Sequence, residues 1–203
     1  MKIVIVDYGM GNIRSIVGAL KHLGVNEISI SSKFEEIRAC DKLILPGVGS
    51  FGKAMNQIKE KQLDKSLYQV VVKEKKPILG ICLGMQLLGI SSTEDGFNDG
   101  LKFINGDVTK FEYSTLKIPH VGFNQVFFAN DTLLYKNFPQ MADFYFTHSF
   151  KMQSSKSIKQ SFCDYGGEFI ASFEVDNIAG VQFHPELSQN NGLKLLRNFI
   201  NNF

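Results

Sequence analysis

Cys82 lies in Gly80-Ile81-Cys82-Leu83-Gly84, and His184 and Glu186 stand two apart in His184-Pro185-Glu186. A thiol, an imidazole and a carboxylate are the three groups that covalent acyl transfer needs: an attacking atom, a base to take and return its proton, and an acid to orient the base. The apolar run 78–81 suits a buried strand, and the Leu/Met-rich residues after Gly84 suit a helix. Gly-x-Cys-x-Gly between them is the nucleophile-elbow pattern with cysteine for serine. Its glycines let the chain turn sharply and leave the central side chain projecting. A thiol placed there meets a helix N-terminus, whose dipole favours an anion. A lone cysteine among apolar residues would otherwise read as core. The flanking glycines and the remote imidazole and carboxylate favour the nucleophile.

On an extended segment His184 and Glu186 point the same way, and Pro185 stiffens that arrangement. Taken alone, His-x-Glu also fits a strand end or half a metal site. No second His/Cys cluster lies nearby, so a metal is not expected. His120 and His148 sit in apolar surroundings and His22 in a helix, so structural roles are the default for all three.

Two further glycine-rich turns follow strand-like runs. Gly9-Met10-Gly11 lacks the third glycine of a dinucleotide fingerprint, since Arg14 stands there. Gly47-Val48-Gly49-Ser50-Phe51-Gly52 matches it in full, but the acidic residue expected about 20 positions on is only Glu74, in a lysine-rich stretch with no strand before it. No Gly-Lys-Ser/Thr is present, which excludes a P-loop. A glycine-rich turn beside an elbow can instead offer backbone N–H groups to an oxyanion.

The elements that must position these groups alternate through the first half. Strands are expected at 3–6, 28–30, 42–46 and 77–81. Helices are expected from Ile13 to a stop at Gly24, over 33–39, and over about 53–74 with a break near Gln62. That βαβα alternation predicts a parallel sheet. The second half offers phenylalanine-rich runs at 108–111, 121–128, 144–150, 169–173 and 178–183, expected as antiparallel hairpins added to the sheet, and a closing helix through Leu193, Leu195, Leu196, Phe199 and Ile200. One domain over residues 1–203 is expected.

Twenty-two Lys and Arg against twenty Asp and Glu leave a formal charge of +2, with no like-charge block, so neither a nucleic-acid footprint nor a polybasic membrane anchor is expected. The longest apolar run, around 77–90, is broken by glycines and Gln86 and falls short of the roughly 20 residues of a membrane span. Three cysteines do not make a disulfide framework. A cytoplasmic protein is expected.

Several stretches together resemble class I, triad-type, glutamine amidotransferases, and more closely the glutaminase-subunit family of imidazole glycerol phosphate synthases. They are Tyr8-Gly9-Met10-Gly11-Asn12, Pro46-Gly47-Val48-Gly49-Ser50-Phe51-Gly52, 80–88, Ile118-Pro119-His120-Val121-Gly122-Phe123-Asn124, Tyr145-Phe146-Thr147-His148-Ser149 and Gln182-Phe183-His184-Pro185-Glu186. The resemblance implies an α/β, flavodoxin-like amidotransferase domain, with a mostly parallel central sheet and an antiparallel extension. It implies that Cys82 attacks the side-chain amide of glutamine, that His184 protonates the departing ammonia, that Glu186 orients His184, and that water then hydrolyses the thioester. Leu83, with Val48 or Gly49, would supply the oxyanion hole. Gln86 and Glu94 would hold the substrate, and the backbone of Ser149 and Phe150 would complete its pocket. The ammonia would pass to a (β/α)₈-barrel cyclase subunit in a heterodimer serving histidine biosynthesis, with Asn12, His120, Phe123, Asn124, Tyr145 and Leu187 at the interface. No cofactor is implied.

A peptidase on the same elbow would have no use for Gln86, Glu94 and residues 46–52 as a set. A binding module that merely kept the fold would have no use for the three catalytic groups. The family usually has Trp at the position of Phe123 and Lys at that of Leu187, both facing the partner. These departures leave the thiol chemistry intact and open a second reading, a paralogous glutaminase feeding another synthase, such as one making amidino sugars for surface glycans.

Overall fold

The computed structural model describes residues 1–112 and 116–203. Five strands form the parallel half of a nine-stranded sheet: β1 (Lys2–Val6), β2 (Glu27–Ser31), β3 (Lys42–Leu45), β4 (Ile78–Ile81) and β13 (Ile178–Val181). Both faces of β1 are buried, as its unbroken β-branched run predicts. Ile3 and Ile5 face one core, with α1 (Ile13–His22) and α6 (Gln189–Asn202). Val4 and Val6 face the other, with α2 (Phe34–Arg38), α3 (Phe51–Glu60), α4 (Leu63–Leu67) and α5 (Leu83–Leu87). Helices therefore cover the parallel strands on both sides.

The antiparallel half continues from β13 through β12 (Glu168–Val175), β11 (Ser161–Asp164), β8 (His120–Phe127) and β9 (Met141–His148). A second sheet joins β10 (Phe150–Gln153), β7 (Asp107–Lys110), β5 (Ser91–Ser92) and β6 (Asn98–Asp99). No helix of the described residues is long and apolar enough to cross a membrane.

Four expectations are corrected. The run 178–183 does not only form a hairpin: β13 pairs antiparallel with β12 but parallel with β4, and so joins the two halves of the sheet. The run 144–150 is not one strand. It ends at His148, and after Ser149 the chain starts β10, which pairs with β7 in the other sheet. The helix expected over about 53–74 does break near Gln62 as expected, where that residue turns left-handed (φ 55°), but it begins earlier, at Phe51, and ends as a π-helical segment, Tyr68–Lys73. His184 to Glu186 is not extended, because Pro185–Leu187 forms a 3₁₀ turn. Proline at the start of such a turn costs no hydrogen bond.

Candidate active site

Cys82 ends β4 and opens α5 with φ 53° and ψ −111°, a conformation that L-residues rarely adopt and that the elbow enforces. The need for glycine after it is steric. A Cβ on Gly84 would lie 1.8 Å from the Leu45 carbonyl oxygen, so only glycine lets the elbow pack against the end of β3. The helix that follows is short, five residues. Leu83 is its first residue, so no helical carbonyl is available to its N–H.

His184 leaves the end of β13, next to β4 in the sheet, which brings the imidazole to the elbow. The 3₁₀ turn folds Glu186 back so that Oε1 lies 2.8 Å from His184 Nδ1, with both side chains almost wholly buried (3% and 0% exposed). Burial disfavours the imidazolium, but the neighbouring Cys82 and the Glu186 carboxylate outweigh it and raise the His184 pKa to about 10. Nε2 itself makes no hydrogen bond, so the thiol acts on it through proximity. A buried ring nitrogen without a partner, beside a thiol, is free to exchange a proton with it.

The thiol and the imidazole line a cavity of about 430 Å³ together with Val48, Gly49, Leu83, Gln86, Glu94, Ser149 and Phe150, joined by Pro119, Thr147 and His148. All nine residues expected at the nucleophile, base, oxyanion-hole and substrate positions are thus in one place, with Glu186 behind His184. Glu94 is fixed by the Phe51 N–H, which donates to Oε2 at 2.8 Å. Burial raises its pKa, and that N–H opposes the shift. The loop 46–49 is tied down from below by the Tyr8 hydroxyl, which donates to the Pro46 carbonyl at 2.7 Å.

The far wall is β9. Its backbone faces the site: the Tyr145 carbonyl accepts from the His184 N–H at 2.8 Å, and the Thr147 carbonyl accepts from the Cys82 thiol at 3.8 Å. The outward side chains of β8 and β9 include the exposed apolar residues Val121, Phe123, Phe127 and Met141 beside the polar Gln125, Asp143 and Thr147, and Phe123 (50% exposed) pairs with Tyr145, its ring centroid 5.5 Å away. Leu187, 41% exposed, lies on the adjoining 3₁₀ turn. Asn124 is half-buried and donates to the Asp164 carbonyl, and Asn12 accepts from the Ser15 hydroxyl at the start of α1.

His120 does not belong to that outer surface. It points inward, 2% exposed, stacked between Phe146 and Tyr165, with Nδ1 3.1 Å from His148 Nε2. Alternation along β8 puts it on the core face, opposite the side chains of Val121 and Phe123. His148 Nδ1 lies 2.8 Å from the Phe150 carbonyl. Burial holds His120 down to about 4 and His148 to about 3, so both are neutral at neutral pH. A carbonyl only accepts, so His148 carries its proton on Nδ1, and its Nε2 accepts from His120.

One residue of the site went unread in the sequence. Gln182 is wholly buried next to the thiol, with Nε2 3.7 Å from Cys82 Sγ. Its signal was a single amide in the otherwise apolar Gly180-Val181-Gln182-Phe183, where a buried polar group must find partners.

Comparison with known proteins agrees with this geometry. The family described as glutamine amidotransferase class-I matches residues 4–203. The chain is 45% identical to imidazole glycerol phosphate synthase subunit HisH 2 of Vibrio vulnificus (strain YJ016), over 98% of this chain and 94% of that one. It is equally identical to subunit HisH 1 of Campylobacter jejuni (strain RM1221), over 98% of each. To subunit HisH of Aquifex aeolicus (strain VF5) it is 41% identical, over 98% of this chain and 96% of the other. Among solved structures, the fold is shared with the Trypanosoma brucei CTPS glutaminase domain with bound acivicin (TM-score 0.70, 16% identity, covering 98% of this chain and 94% of that one). It is shared also with PurLQS from Thermotoga maritima (TM-score 0.71, 17% identity, covering 98% and 97%).

Proposed function

The chain belongs to the class-I glutamine amidotransferases, and from that premise we propose that it is the glutaminase subunit of an imidazole glycerol phosphate synthase. The observation that carries this reading is one cavity holding the elbow thiol, an imidazole with an unpartnered Nε2, and the polar side chains of Gln86 and Glu94.

In this reaction the proton shared by Cys82 and His184 sits on Nε2, where the raised pKa of the imidazole holds it, and the thiolate Sγ adds to the side-chain amide carbon of glutamine. The oxygen becomes an oxyanion received by the N–H of Leu83 and one from Val48 or Gly49, each such donor worth ~10²–10³ in rate. His184 returns the proton to the amide nitrogen as the C–N bond breaks and ammonia leaves. A water, deprotonated by the same imidazole, then adds to the γ-glutamyl thioester, releasing glutamate and the thiol. Glu186 holds the imidazole in register and supports its positive charge through both halves. The Glu94 carboxylate suits the ammonium group of an amino-acid substrate, and Gln86 and the backbone at Ser149 and Phe150 suit its polar remainder.

The ammonia is consumed by a (β/α)₈-barrel cyclase subunit docked on the outer face of β8 and β9, with Phe123, Tyr145 and Leu187 on the contact and Asn12 and Asn124 at its edge. The test is glutamate release by the purified chain, alone and with the cyclase subunit of the same organism plus its nucleotide ligand. Strong stimulation by the cyclase is the expected result. A second reading is favoured by the exposed Phe123 and Leu187 and by the numbered subunit names of two relatives: a paralogous glutaminase serving another ammonia-using synthase, such as an amidino-sugar synthase. No stimulation, with Cys82 still labelled by a glutamine-mimicking electrophile, would select it.

A further inference from the structure

The Phe150 carbonyl fixes more than the histidine tautomer. It also receives Gln86 Nε2 at 3.0 Å, so the amino end of Gln86, not its oxygen, faces it. The same nitrogen lies 2.9 Å from Gln182. Because that nitrogen donates, the Gln182 atom it meets is the acceptor, Oε1. The other arm of the Gln182 amide, Nε2, is thereby pointed at Cys82 Sγ, 3.7 Å away. The amide orientations along this path follow from one backbone oxygen that can only accept. Gln182 cannot turn over without breaking the bond to Gln86.

We propose that Gln182 is a positioning residue for Cys82, holding an amide N–H on the sulfur so that the thiolate is favoured over the thiol. The second polar contact of the sulfur, the Thr147 carbonyl at 3.8 Å, works in the opposite sense. It accepts from S–H but repels S⁻. When the proton passes from Sγ to His184 Nε2, the S–H bond breaks and the N–H bond forms. The contact to Thr147 is lost, and the one to Gln182 becomes a charge-assisted hydrogen bond. Gln182 thus couples the sulfur to Gln86, a residue of the proposed substrate pocket. This inference rests on Cys82 being the nucleophile of the proposed reaction.

The test is the pH dependence of Cys82 alkylation by iodoacetamide, followed by mass spectrometry of the peptide that carries it, in the full chain with no partner. Gln182→Met keeps the bulk and removes the donor, and it is expected to raise the midpoint by about 1 pH unit. Gln182→Glu keeps the acceptor for Gln86 and puts an oxygen on the sulfur, so it should raise the midpoint at least as far. A filler of the core would leave the midpoint in place, and an unmoved midpoint in either folded variant overturns the proposal. Should neither variant fold, the side-chain amide resonances of the wild-type chain decide. The Gln182 protons must shift as Cys82 titrates and stay still in Cys82→Ser, and protons that ignore the thiol overturn it. An unmoved midpoint in a chain that releases glutamate sinks only this inference. A moving midpoint in a chain that never does so sinks only the glutaminase reading.

Discussion

His184 Nδ1 lies 2.8 Å from Glu186 Oε1 across the single residue Pro185, in a turn that buries both side chains. Glu186→Gln keeps the shape and removes the charge. Glutamine turnover should fall roughly 10²–10⁴-fold, the range for loss of an orienting acid or of assisted proton transfer. It should remain above that of Cys82→Ala. Equal loss would mean that Glu186 does more than orient.

Cys82 and Glu186 together raise the folded pKa of His184, and the part due to Glu186 sets a pH dependence of stability. The folded pKa of His184, about 10, lies above its ordinary value of 6.5. The folded state therefore holds the proton more tightly than the unfolded one. The resulting stabilisation is complete below pH 6.5, shrinks as pH rises, and is gone above about 10. Thermal unfolding of wild type and Glu186→Gln between pH 6 and 11 should show a gap that is widest at the acid end and narrows steadily. A constant gap would contradict the assignment.

Cys82→Ala removes the nucleophile and, from the core, only one sulfur atom of a small buried side chain. In the assembled synthase, glutamine-dependent turnover should vanish while turnover with ammonium salts persists. Loss of both would point to failed assembly rather than lost chemistry.

His148 is expected to hold the substrate pocket through the Phe150 carbonyl. His148→Phe strands the His120 donor and removes one of two bonds to that oxygen, at a cost of roughly 1–3 kcal/mol. The KM for glutamine should rise more than kcat falls. His148→Asn, whose amide nitrogen can take the place of Nδ1, should restore much of both. Steady-state kinetics of the three proteins checks this, and no rescue by asparagine would leave His148 a packing residue.

Gly192, in α6, touches no reacting group. A Cβ there would sit 1.8 Å from the Pro185 carbonyl oxygen, inside the turn that carries Glu186. Gly192→Ala must push that turn outward. A displacement near 1 Å is enough to cost about 10² in rate, so turnover should drop although the substitution is remote from Cys82 in sequence. Unchanged turnover would mean that α6 yields instead of the turn.

The elbow and His-Pro-Glu were legible because their constraints are local: two glycines, a turn, and a fixed spacing of chemical groups. The parallel half was legible for the same reason, since strands such as 3–6 and 78–81 are buried on both faces and show unbroken apolar runs. What stayed hidden depends on partners far away in sequence. Nothing near residue 178 says that β13 will lie parallel to β4, and nothing near Ser149 says that one apolar run will serve two sheets. β11 was missed because Ser161-Phe162-Cys163-Asp164 is too short and mixed to announce a strand. The resemblance places His120 at the outer interface, whereas its apolar surroundings, read alone, favour the structural role that strand alternation gives it inside an aromatic box. Gln182 was passed over inside an apolar run, although a lone buried amide is itself a request for a partner.

The strand β9 has one side against the cavity and the other open to solvent. Its peptide units at Tyr145 and Thr147 touch His184 and Cys82 with their carbonyls, and the Tyr145 ring and the Thr147 hydroxyl belong to the outer face. The partition between the thiol and anything that docks there is therefore a single peptide ribbon thick. Pressure on the outside needs no relay of side chains to be felt inside. A shift of half an ångström in that ribbon is a shift of half an ångström in the cradle of the nucleophile and its base.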